Sequence, residues 1–404
     1  MMSTPHVSTP MRGNLPLFSQ SFTRAKGCWL ETPHGERYLD TQAGLNDLIY
    51  GHNNPQLKHA LLNYIERDGL SIGVAGQSEA EARFIRTLTR RILAPRQMTY
   101  HVAMTAPSEA QALKQAVALA KADTGRDTVV TLQPKISRRP SGWQDQGPRH
   151  HKDDHIVVSG LADLRRWLGG SASTPPAAVI IETVQRHAGM RVLSDRWLRA
   201  AQQLCHAHGV LLVFNETLAG CGRTGRFFSF EASGVQPDLI VLSQALGGYG
   251  LPLGLVLYAP DLACAPPSPA NAPTPDHALI TAATALDIYW SDGQFESHVQ
   301  KQSAQLTAGL RDLVRMCPEV FLRRTGSGMV QGMQCRTPDV ARRVIEAGFR
   351  EGVLLNTVDD AGTVLALCCP LPLNSLEREQ LIARLRAAAY AARHAELGAQ
   401  TSPA

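Results

Sequence analysis

The chain of 404 residues is 44% apolar, 19% charged and 6% aromatic. This composition excludes a disordered, collagenous or coiled-coil chain and allows two or three domains, or one large α/β unit with a smaller appendage. The net charge of +5 is too mild over this length to indicate a nucleic-acid or membrane partner. The eight cysteines form no CxxC pair, and none stands at zinc-finger spacing with histidines; they read as reduced thiols of a cytoplasmic protein without a metal site.

Residues 1–25 read as a flexible segment. Its Ser/Thr/Pro-rich start has no seven-residue apolar stretch, which argues against a secretory signal peptide, although such a start is also compatible with a secreted effector. Gly27 to Asp40 predicts a hairpin turning at Pro33-His34-Gly35. Asn54 caps a helix that runs to Asp68, with Pro55 in the first turn and Gly69 as its stop. Ser78 and Glu81 form a capping box for a helix carrying Phe84, Leu88 and Ile92 on one face. A third helix begins at Ser108 and runs to Asp123. Strand and helix patterns then alternate: strand 128–132, helix 161–168, strand 177–183, helix 194–208 and strand 210–214.

The uncharged run Leu239 to Pro260 is long enough to span a bilayer, but it holds Gln244, Gly247, Gly248, Gly250 and Pro252. It reads as strand, glycine loop, strand. The unbroken Val/Ile/Leu runs indicate strands buried on both faces, hence a mostly parallel sheet covered by helices. After a Pro/Ala-rich stretch come helices 278–290 and 295–316, a strand over 328–335, a helix over 337–351, strands over 353–357 and 363–369, and a helix over 375–394.

Several strings converge on one family. Ile49-Tyr50-Gly51-His52-Asn53-Asn54-Pro55, Val179 to Gln185, Ala219-Gly220-Cys221-Gly222-Arg223-Thr224-Gly225, Phe227 to Glu231, Gly248-Tyr249-Gly250-Leu251-Pro252 and Tyr289-Trp290-Ser291-Asp292 resemble class III aminotransferases. Within that family the chain looks most like the diaminobutyrate 2-oxoglutarate aminotransferases of ectoine-type biosynthesis. The resemblance covers roughly residues 20 to 390. It implies an α/β fold of the fold-type-I kind that serves pyridoxal phosphate: a large domain around a mostly parallel seven-stranded sheet, a small C-terminal α/β domain, and a dimer with active sites at the interface. The expected boundaries are 26–300 for the large domain, its first part contributing to the small one, and 301–404 for the small domain.

Such chemistry needs a lysine for the Schiff base, a carboxylate on the pyridine nitrogen and a phosphate cup at a helix N-terminus. By resemblance the lysine position is Gln244, and no lysine occurs between Asp153 and Gln300. Glutamine offers no nucleophilic amine. The pyridine partner becomes Asn215, which carries no charge, while Glu216 is one residue on and in a strand points to the opposite face. The phosphate cup becomes Glu109-Ala110-Gln111, where a glutamate would repel phosphate by about 4 kcal/mol per charge pair at an effective dielectric near 20. The ring-stacking segment after Leu132 reads Gln133 to Pro140, the loop after Gln185 reads Arg186-His187-Ala188-Gly189, and the threonine that reaches across the dimer falls near Asn271.

Three further residues could face the pocket: Glu182, either orienting a ligand or hydrogen-bonded to backbone; Glu216; and Arg223, either binding a carboxylate or stabilising its loop. His150, His151 and His155 with Asp153 and Asp154 offer metal-type ligands, but in a polar loop that favours no metal site. Lys135, Arg138, Arg139, Arg149 and Lys152 with Trp143 read as a solvated basic loop, and Cys368-Cys369 as a core strand end. The loss of several elements of one site predicts a catalytically degenerate aminotransferase-like protein. It would have no cofactor and a binding, regulatory or scaffolding role, either as a homodimer or as a heterodimer with an active paralogue. The alternatives are an active diaminobutyrate 2-oxoglutarate-type aminotransferase and a remodelled pocket with cofactor-independent activity.

Overall fold

A computed structural model describes residues 20–73, 76–105, 107–132, 155–169, 174–262 and 274–400. Seven strands form the central sheet, in the spatial order His101–Met104, Gly254–Tyr258, Leu239–Ser243, Leu211–Asn215, Ala178–Ile181, Val129–Leu132 and His155–Val158. The five from Leu239–Ser243 onward run parallel, while Gly254–Tyr258 is antiparallel to both of its neighbours. The reason lies in the connection. Residues 244–253, rich in glycine, are too few for the helical crossover that a parallel partner requires. The uncharged run is thus two paired strands, and among the described residues no helix is long and apolar enough to cross a membrane.

Leu239, Ile240, Val241 and Leu242 are all fully buried, because helices cover both faces of the sheet; an alternating pattern would have put charge inside. The helix Pro55–Glu66 starts at Asn54, whose side chain accepts from the N–H groups of Gln56 and Leu57 at 3.1 and 3.3 Å. Ser78 accepts from Glu81 N at 3.1 Å and Ser194 from Trp197 N at 3.2 Å, opening helices Glu79–Leu88 and Asp195–Ala207. Ser108 opens Glu109–Thr124 without capping it through its side chain. The expected Phe84, Leu88, Ile92 face is realised, all three being buried, but the α-helix gives way to a π turn over Thr89–Leu93 and a 3-10 turn over Ala94–Arg96. Pro95 has no N–H to donate, so the α ladder cannot continue through it.

Toward the C-terminus a second, antiparallel sheet runs in the order Phe321–Ser327, Val330–Cys335, Val364–Cys368, Asn356–Thr357, accompanied by helices Pro338–Arg350 and Ser375–Gln400. The run expected as one strand over 353–357 splits in two. Val353–Leu354 pairs in parallel with Leu39–Asp40 of an N-terminal sheet, and Asn356–Thr357 pairs with Leu365 and Ala366. The first residues of the fold are thereby tied to the last. Cys368 ends its strand and is buried with Cys369. Strand His155–Val158 begins at the end of the expected histidine cluster; His150, His151, Asp153 and Asp154, like the basic loop, lie outside the described residues. No group of side chains able to hold a metal is found among the described residues.

One close approach fixes the Ala219–Gly225 loop. Gly328 has φ +62°, and a Cβ there would lie 2.1 Å from the carbonyl oxygen of Arg223 and 2.5 Å from Thr224 Cα. Both are backbone atoms and cannot rotate away. Gly362 has a similar φ of +66° with nothing within 4 Å. Gly328→Ala is therefore expected to lower the melting temperature clearly more than Gly362→Ala, since both incur the roughly 1–2 kcal/mol left-handed penalty and only the first adds a clash. Equal shifts in calorimetry would count against this contact.

Candidate active site

Parallel strands share a carboxyl edge, and ligand crevices of open α/β sheets lie outside that edge. Here three adjacent strands deliver one polar residue each. Glu182 follows Ala178–Ile181, Asn215 ends Leu211–Asn215, and Gln244 follows Leu239–Ser243. The register sets them side by side, with Phe214 paired to both Ile181 and Ile240. Glu182 and Gln244 border a cavity of about 330 Å³, whose lining also includes Asp47, Glu109, Arg186 and Thr217.

Asn215 links the acids. Its Nδ2 donates to Glu109 Oε1 at 3.1 Å and reaches Glu182 Oε1 at 3.5 Å. Its Oδ1 accepts from Thr217 N at 3.3 Å, and Thr217 Oγ1 stands 2.9 Å from Glu109 Oε1. Burial, reinforced by the Glu109 charge, pushes the Glu182 carboxyl up to about 7, against the opposing pull of Arg186 and the Asn215 hydrogen bond. Burial likewise raises Asp47, with Arg223 opposing and Glu109 adding to the rise.

Glu216 turns away from the cavity, as its place one residue past the strand end implies. It accepts from Ser229 N at 2.7 Å and from Ser229 Oγ, and burial pushes its carboxyl up to about 7. Arg223 is buried, and its Nη1 donates to the carbonyls of Thr217 and Leu218 at 3.1 and 2.8 Å. Ala110 sits in the first turn of its helix and offers no polar side chain, and Asn271 lies outside the described residues. Asp47 and Thr217 also line the cavity, and Asp47 carries no signal in the sequence. Asp47 follows the short helix Ala43–Asn46, far from the sheet in sequence. Thr217 could have been found by counting two residues beyond Asn215, where an Asx-type turn places a donor.

The aminotransferase class-III family model matches residues 11–139 and 132–389. The chain belongs to the class-III aminotransferase family. This class-III aminotransferase is 39% identical over 383 residues to the diaminobutyrate–2-oxoglutarate transaminase of Vibrio parahaemolyticus, covering 90% of this chain and 91% of that protein. It is 38% identical over 380 residues to the enzyme of the same name from Vibrio cholerae, covering 89% and 92%. Its fold matches the solved ornithine aminotransferase of Toxoplasma gondii, a structure described as showing partial occupancy of PLP at the active site, with TM-score 0.78 at 18% identity over 96% of this chain and 94% of that one. The fold is that of the fold-type-I pyridoxal phosphate transferases.

These matches correct two expectations. The reading of a catalytically degenerate protein is overturned by relatives that share more than a third of their residues over nine-tenths of the chain and are named transaminases. The reading of no cofactor is overturned by the family itself, which points to pyridoxal phosphate. The residues present do not fit that group held as an imine on the chain. Gln244 stands after its strand, no lysine among the described residues lines the cavity, and Glu109 occupies the first turn of helix Glu109–Thr124.

The raised Glu182 carboxyl has a stability consequence of definite sign. Its folded-state pKa, about 7, lies above the ordinary 4.5, so ionisation costs the folded state increasingly as pH rises through this window. Glu182→Gln is expected to match the parent below pH 4.5 and to gain stability on it up to about pH 7. The gain, on the order of 1 to 3 kcal/mol, should be constant above that. Melting curves at pH 5 and pH 8 check this, and a pH-independent difference would contradict it.

Proposed function

We propose that the chain takes part in amino-group transfer between diaminobutyrate and 2-oxoglutarate, as its relatives are named to do. The observation that carries this is the 39% identity over 383 residues, which covers 90% of this chain. Pyridoxal phosphate belongs to the proposal as the family cofactor. A lysine imine at position 244 does not. The chain's own contribution is electrostatic: carboxylates of Asp47, Glu109 and Glu182 face the guanidinium of Arg186 across one cavity, an arrangement suited to groups of both signs on one small substrate.

The test is glutamate formation from 2-oxoglutarate and L-2,4-diaminobutyrate by purified protein with added pyridoxal phosphate. Glutamate accumulating in proportion to protein is the expected outcome. No glutamate above a protein-free control would overturn the proposal.

The proposal extends to a homodimer. Leu62, Ile65, Leu70 and Ile72, on and just after helix Pro55–Glu66, are 45–50% exposed. Grouped apolar side chains of this kind mark contact surfaces more often than solvent faces. Sedimentation is expected to give the dimer mass, and Leu62→Glu with Ile65→Glu to shift it to the monomer. A parent chain that sediments as a monomer at micromolar concentration would remove the dimer from the proposal.

A further inference from the structure

One wall of the cavity is held in place by residues that do not line it. Asp47 stands on that wall, and the segment that brings it there has little regular structure of its own. The helix Ala43–Asn46 is a single turn. It opens on two consecutive left-handed residues, Ala43 at φ +44° and Gly44 at φ +59°. Glycine tolerates that geometry, whereas alanine keeps it only where its surroundings impose it.

Asp40 imposes it. This residue ends strand Arg37–Asp40 and is 6% exposed. Its Oδ1 accepts from Gln42 N at 2.8 Å and its Oδ2 from Gly44 N at 2.9 Å. The same Oδ2 lies 2.7 Å from His52 Nε2. Burial pushes the Asp40 carboxyl up, but the hydrogen bonds from His52, Gly44 and Gln42 outweigh burial and hold it below its ordinary value. An ionised carboxylate only accepts, so His52 donates from Nε2. One side chain thus joins the two ends of the segment, residues 42 and 44 at its start and residue 52 at its end.

Both ends are also anchored from outside. Thr41 Oγ1 donates to Leu354 O at 2.6 Å and Gln42 Nε2 to Ala366 O at 3.0 Å, while Gly27 and His52 exchange backbone hydrogen bonds at 2.9 and 2.8 Å. Between these anchors the N–H groups of Asp47 and Leu48 both donate to Ala43 O. Asp47 therefore takes its place from the turn at Ala43, and that turn takes its shape from Asp40. At the wall, Asp47 couples electrostatically to Arg223 and Glu109.

We infer that Asp40 and His52 are positioning residues for the reaction in this cavity: their pairing closes residues 41–52 into one fixed loop and sets where the Asp47 carboxylate stands. This rests on the proposed function and deepens it, since two residues outside the cavity lining govern how a substrate is seated within it.

Two measurements on the full chain test this. Asp40→Asn keeps the side-chain volume but replaces one acceptor oxygen by an NH2 group that meets donors. Hydrogen exchange over residues 41–52 is expected to rise in this variant, while strands Ala178–Ile181 and Leu239–Ser243 keep the protection they have in the parent. In the glutamate-forming assay with added pyridoxal phosphate, KM for L-2,4-diaminobutyrate should rise about fivefold or more, with kcat within about twofold of the parent. A residue that served folding alone would lower the active fraction and leave KM unchanged. His52→Leu should behave as Asp40→Asn does. His52→Gln, whose amide can still donate to the carboxylate, should return KM most of the way to the parent value, and this pair decides the matter if Asp40→Asn fails to fold. Unchanged exchange over residues 41–52, an unchanged KM, or equal KM values for His52→Leu and His52→Gln would each overturn the inference. Any of these with a parent that forms glutamate sinks the positioning role alone. A parent that forms no glutamate sinks the proposed transfer, and exchange over residues 41–52 then decides whether Asp40 holds the loop.

Discussion

Three neighbouring strands running in one direction are the constraint on which the site depends. Ala178–Ile181, Leu211–Asn215 and Leu239–Ser243 are paired in parallel and in register, so their carboxyl ends fall on one edge of the sheet. Parallel pairing needs long crossovers, and the helices of those crossovers cover both faces and keep the strands dry. Polar side chains are then excluded from the strands and collect where the strands end. Glu182, Asn215 and Gln244 meet for that reason, although each is about thirty residues or more from the next in sequence.

Charge at that edge is organised around Asn215. A neutral amide between two carboxylates satisfies part of each without cancelling either charge. Glu109 tolerates its position because it begins a sixteen-residue helix, whose N-terminal dipole favours a carboxylate by about 0.3–1 kcal/mol. Glu182 has no such support and is buried, and its affinity for protons rises accordingly. Two acids bound to the same donor thus differ in setting: Glu109 begins a helix, while burial pushes the Glu182 carboxyl up to about 7.

The residues at positions 109, 215 and 244 say what those side chains cannot do, and they do not by themselves make the protein non-enzymatic. A missing amine excludes one chemical route. It does not outweigh a family relation that extends through nearly the whole chain. The residues of the cavity bear on how a cofactor is attached, and the family relation on what the fold as a whole belongs to.

The sequence by itself determined the features whose causes are local. Asn54, Ser78 and Ser194 start helices because their side chains reach N–H groups two or three residues away, and the apolar runs at 178–181 and 239–242 were legible as buried strands from composition alone. The absence of lysine from Asp153 to Gln300 needed no coordinates. Tertiary structure alone decided what depends on distant pairing. It divided residues 353–357 between two sheets, carried Asp47 from the N-terminal segment to the cavity wall, and left Arg223 buried beside carbonyls with one nitrogen unpaired. Short-range periodicity encodes how a segment buries its own apolar face; which charges then face one another is set by the register between segments, and no window along the chain contains it.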